Sequence, residues 1–74
     1  MSRLPEAEDS FRAAIEANPR DTASLNNLGV IQVRQGHIGE AVRTFQRVLE
    51  IEPANPDARR NLDALWTAVG PAKP

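Results

Sequence analysis

The chain has no cysteine, no tyrosine, one histidine and only three aromatic residues, Phe11, Phe45 and Trp66. Each shortage excludes something. Without cysteine there is no disulfide framework and no thiolate metal site. The single histidine, His37, has no second imidazole with which to share zinc and no acidic partner fixed by spacing to build a triad. Ser2, Ser10 and Ser24 fall near helix starts or on polar faces, and no carboxylates cluster in a calcium loop. Glu6, Glu8 and Asp9 crowd the beginning of the first expected helix, where negative side chains complement the helix dipole. No catalytic role, no metal and no cofactor is therefore expected. Lys plus Arg number 9 against 10 Asp plus Glu, a net charge of -1. Such a balance gives no reason to expect nucleic acid or an anionic membrane as a partner. Apolar runs are only a few residues long, too short to cross a bilayer, and no signal-peptide series opens the chain. A single small cytoplasmic domain spanning 1–74 is the expectation.

What is present is punctuation with a period. Pro19 and Pro53 are 34 residues apart, and so are Glu6 and Glu40, Ala7 and Ala41, Phe11 and Phe45, Glu16 and Glu50, Asn27 and Asn61, Leu28 and Leu62, and Gly36 and Gly70. Sliding residues 3–36 over 37–70 thus gives 8 identities in 34 positions, where chance supplies about two at ordinary residue frequencies. Valine, isoleucine and threonine do not alternate with polar residues, which argues against strands. The helix signals agree within each period. Pro5 suits an early helical position, and Ala7, Phe11, Ala14 and Ile15 then share one face. Asp21 or Thr22 caps a second helix carrying Leu25, Leu28, Ile31 and Gln32, with Gly29 as a small contact point and Gly36 as a left-handed terminator. A third helix carries Ile38, Ala41, Phe45, Val48 and Leu49 and ends before Pro53. Asn55-Pro56 opens a fourth, with Leu62, Leu65, Trp66 and Val69 before Gly70-Pro71. The fold class expected is all-α, four helices forming two stacked antiparallel pairs of an α-solenoid.

Read at this spacing, Leu25-x2-Leu28-Gly29-x2-Gln32, Gly36, Ala41-x3-Phe45, Val48 and Pro53 resemble one complete unit of the tetratricopeptide repeat family. Ala7-x3-Phe11, Ala14 and Pro19 before it, and Leu62 with Trp66 after it, resemble half-units. The division that follows is a half repeat over 4–18, a complete repeat over 22–55, a half repeat or capping helix over 56–70, and a tail over 71–74. Two departures lie in the complete unit, where Leu25 replaces the family's usual tryptophan and Gln32 its usual tyrosine, the latter at some cost in packing. Arg59 and Asp63 stand where the family places an apolar and a small residue, and the pair is expected to act as a solubilising cap on the stack.

The resemblance implies a protein or peptide partner held in a concave groove lined by the first helix of each repeat. Here that face comprises Asn26, Asn27, Val30, Val33 and Arg34 on the second helix and Arg60, Asn61, Ala64 and Thr67 on the fourth. Asparagine can satisfy a peptide backbone with both donor and acceptor, and arginine can pair with carboxylates. Family members that clamp the carboxylate of chaperone tails carry paired basic residues on successive first helices, and Asp57 and Asn61 occupy the place of one such pair, so that subtype is not expected. The alternative is a self-assembling unit. Phe11, with Ala7 and Ala14, should face a helix that the first half-unit lacks, and a second copy of the chain, as a homo-oligomer, could cover it. His37 falls between Gly36 and Gly39, at an expected helix N-cap with Glu40 three residues on. Because histidine caps poorly, His37→Asp is expected to raise stability by about 0.5–1 kcal/mol, read as a higher melting temperature. An unchanged or lower one would remove the capping role.

Overall fold

The computed structural model describes the backbone of residues 4–69 and the side chains of residues 6–67. The expected stop at Gly70-Pro71, the tail over 71–74 and the side chains of Leu4, Pro5 and Val69 lie outside the described residues. Four helices follow one another: α1 (Leu4–Ala17), α2 (Thr22–Arg34), α3 (Ile38–Ile51) and α4 (Pro56–Val69). Each is about four turns long, and none is long and apolar enough to cross a membrane.

Their ends are set by local chemistry. Asp21 caps α2 by accepting from the Ser24 N–H at 3.1 Å and from the Ser24 hydroxyl at 2.8 Å. Those two donors, the hydroxyl foremost, hold the Asp21 carboxyl below its ordinary range. Its contribution is therefore complete above the unfolded pKa and is lost as pH falls through the lower folded value. Gly36 terminates α2 at φ 85°, a conformation open to glycine at little cost. His37 is the N-cap of α3 and makes no side-chain capping bond. Asn55 caps α4, its Oδ1 accepting from the Ala58 N–H at 2.9 Å, and Pro56 takes the first helical position.

Short connections turn each helix back along its predecessor, and the inter-helix hydrogen bonds agree. Gln35, just past the end of α2, donates from Nε2 to Glu8 near the start of α1 at 3.1 Å. Glu8 also takes Arg12 Nη2 at 2.6 Å and Nε at 3.1 Å, and the arginine, followed by Gln35, lowers its pKa. Glu8 is thus a strut between α1 and α2; of the three acidic residues expected to complement the α1 dipole, Glu6 alone lies in the first turn. Helices α1, α2, α3 and α4 pack in chain order, α2 also touches α4, and α1 does not touch α3.

The core lies between α2, α3 and α4, where Leu25, Ala41, Phe45, Val48, Ala58, Leu62 and Leu65 are buried together. Phe45 is 1% exposed, a burial that stabilises by roughly 2–3 kcal/mol. Gln32 is also buried, and its Oε1 accepts from the Thr44 hydroxyl at 2.7 Å, so the polar residue at that position costs packing but not an unpaired group. Arg59 and Asp63 are exposed. The tightest approach is between Gly29 and Phe45. A Cβ placed on Gly29 would stand 2.5 Å from Phe45 Cζ and 2.6 Å from Cε1. In an open helix Gly→Ala stabilises by about 1 kcal/mol; here Gly29→Ala should instead destabilise by about 1–3 kcal/mol through overpacking. Denaturant unfolding measures the sign, and a stabilised variant would mean the two helices separate at no cost.

Candidate functional site

Helices α2 and α4 run side by side, and the shallow groove between them encloses about 200 Å3. Val30 and Val33 form its α2 wall, Ala64 and Leu65 its α4 wall, and the Phe45 ring its floor. Among the described residues, the polar side chains on its lining are Arg34 and Asn61. Arg34 sits in the last turn of α2, where a cation also complements the helix dipole. It is exposed and, among the described residues, forms no ion pair. The groove thus offers apolar surface with one cation and one amide at its rim, which suits an apolar side chain flanked by a carboxylate or a peptide group.

Of the residues expected to form this face, Val30, Val33, Arg34, Asn61 and Ala64 come together. The others are engaged elsewhere. Asn26 is half-buried one turn before Val30, and its Nδ2 donates to Asn55 Oδ1 at 3.2 Å. Its own Oδ1 is buried without a partner among the described residues. Asn27 is exposed and absent from the lining, although it shares the Arg34 face of α2 two turns earlier. Arg60 turns toward Asp57, with Nη1 3.9 Å from Oδ1, and stays 77% exposed. Thr67 is exposed and returns its hydroxyl to the Asp63 carbonyl of its own helix at 3.0 Å.

Two contributors were not foreseen. Phe45 and Leu65 carry core spacing and nothing that marks them as groove floor and wall. Asn55 reads as a cap, but it is also a junction: its Oδ1 serves α4 and Asn26, and its Nδ2 donates to Glu52 at the end of α3 at 2.9 Å. One side chain therefore ties α2, the end of α3 and the start of α4 together. Among the described residues, no three His, Cys, Asp or Glu side chains converge to hold a metal ion. His37 is exposed in the α2–α3 turn, outside the groove lining.

The tetratricopeptide repeat model matches residues 1–65, and the chain belongs to that family. It is 40% identical over 58 residues to the cellulose synthase 1 operon protein C of Komagataeibacter xylinus, covering 78% of this chain and 4% of that protein. It is 32% identical over 68 residues to the peroxisomal targeting signal receptor of Yarrowia lipolytica, covering 92% of this chain and 11% of that protein. It is 41% identical over 59 residues to the protein POLLENLESS 3-LIKE 2 of Arabidopsis thaliana, covering 80% of this chain and 13% of that protein. The chain thus spans only a small part of the length of these relatives. Repeats of this family are generally non-catalytic and act as protein–protein interaction modules.

The junction at Asn55 generates a prediction. Asn55→Ala removes the α4 cap and leaves Asn26 without its acceptor, and should destabilise the chain by about 1–3 kcal/mol. Asn55→Asp keeps the acceptor oxygen and should lose less. Equal losses in thermal unfolding would assign the effect to something other than the cap.

Proposed function

We propose that this chain is a non-catalytic docking module whose α2–α4 groove holds a segment of a partner protein. The observation that carries the reading is the groove's composition. Val30, Val33 and Ala64 stay accessible above the buried Phe45 and Leu65, leaving an apolar cleft between α2 and α4. A concave apolar lining with a few placed polar groups is the usual form of a binding site. Arg34 and Asn61 supply the polar contacts that would fix a bound segment's orientation. Membership of a family of interaction modules supports the same reading, as does likeness to a receptor for a targeting signal. Of the same expected face, Asn26 and Thr67 would have to leave their present hydrogen bonds to take part, whereas Asn27 and Arg60 are exposed.

A second reading, self-association, is favoured by one comparison inside the chain. Phe11 stands 34 residues before Phe45, yet it is half-buried while Phe45 is 1% exposed. Ala7 and Ala14 are half-buried with it. Among the described residues no helix covers Phe11 as α2 covers Phe45. In an oligomer, α1 of one copy would meet α1 of another more readily than α4. Asp63 occupies on α4 the place that Gly29 holds on α2, and a Cβ there would collide with an incoming phenylalanine ring.

The two readings separate by mutation. Arg34→Glu with Ala64→Arg should lower the affinity for a captured partner peptide by roughly tenfold or more, because it reverses the rim charge and fills the groove. Phe11→Glu should leave that affinity unchanged and convert any dimer seen by light scattering to monomer. Partner binding that survives the groove pair and is lost with Phe11→Glu would refute the groove assignment.

A further inference from the structure

A second furrow opens on the opposite face of α2. Its floor uses Leu25, Leu28 and Gln32, which at about 100° per residue point away from Val30, Val33 and Arg34. Since α1 and α3 do not touch, the space over that floor stays open to about 400 Å3, twice the α2–α4 groove. Its electrostatics also differ. The lining takes Arg12 from α1 and Arg43 and Arg47 from α3, against one carboxylate, Glu16, in a chain whose net charge is -1. Arg12 is engaged with Glu8, whereas Arg43 and Arg47 are exposed and form no ion pair among the described residues. Those two lie one helical turn apart, where like charges repel and do nothing for the helix itself.

We propose that this furrow docks an acidic amphipathic helix of a partner protein. Charge complementarity sets the sign of the occupant: Arg43 and Arg47 on one bank, with Arg12 on the other, would pair with carboxylates spaced one turn apart along a helix lying between α1 and α3. The floor of Ile15, Leu25 and Leu28 takes the helix's apolar stripe. A helix suits the furrow better than an extended strand does, because the banks are helices with no free backbone edge, so most of a strand's N–H and C=O groups would stay unpaired over Ile15, Leu25 and Leu28. The α2–α4 groove differs in this respect, having an asparagine amide at its rim and no carboxylate. Nucleic acid fits less well, since no aromatic side chain lines the furrow for base stacking and Glu16 repels phosphate.

The test titrates the full chain, isotope-labelled, with a synthetic amphipathic helix carrying leucine along one stripe and glutamate pairs one turn apart on both flanks. Shifts should concentrate at Ile15, Leu28 and Thr44, and binding should weaken as salt rises. Arg43→Glu with Arg47→Glu should cost roughly tenfold or more in affinity, and the neutral pair Arg43→Gln with Arg47→Gln, which keeps the side-chain bulk, should cost less. Arg34→Glu with Ala64→Arg should leave this binding unchanged, so failure here is distinguishable from failure of the α2–α4 groove. Three results would each overturn the proposal: shifts that map to Val30 and Ala64, equal affinity for a scrambled peptide of the same charge, or equal affinity for oligouridylate.

Discussion

The contact between Gly29 and the Phe45 ring sets the distance between α2 and α3, and most of the structure depends on that distance. With no side chain at position 29, the ring lies against the α2 backbone and reaches through to the α4 side of the core. It thereby becomes both the largest fully buried side chain and the floor of the groove. Packing and the candidate binding surface are thus two aspects of one placement. A bulkier residue at position 29 would push α3 outward, withdraw the floor and widen the mouth.

Stability is distributed unevenly around this centre. Between α2 and α3 the contact is dry and close, with Ala41, Phe45 and Val48 almost wholly buried. The α1–α2 contact is looser: Ile15 packs at its margin while Ala7, Phe11 and Ala14 remain half-buried, and polar bonds through Glu8 supplement it. Because the same positions 34 residues later are fully enclosed, the difference comes from what lies over each helix and not from residue type. Repeat proteins behave in this way because each unit is stabilised mainly by its immediate neighbours.

Much of the fold was legible in the residues because its determinants are local. The Asp21 cap, the Gly36 terminator and the Asn55-Pro56 start each act within a few positions of where they stand, and four helices follow in the expected order. The site was legible only in part. A helical wheel selects a face, and Val30, Val33, Arg34, Asn61 and Ala64 do lie together. It cannot select partners from another helix. The bond from Asn26 to Asn55 joins residues 29 apart, and that from Gln35 to Glu8 joins residues 27 apart. The Arg60–Asp57 and Thr67–Asp63 contacts, by contrast, are three and four residues apart, the spacing at which neighbours on one helix meet.

The thin seam between α2 and α4 has a kinetic consequence. Packing between consecutive helices joins residues close in sequence and needs little loop closure, so such contacts form early and fast. By contrast, the seam joins helices separated by the whole of α3, and among the described residues its side-chain hydrogen bond runs from Asn26 to Asn55. Loop closure therefore favours its forming after the α2–α3 and α3–α4 contacts. The groove proposed for partner binding lies along this seam, so a bound segment bridging both helices would join two elements that the chain itself connects only through α3.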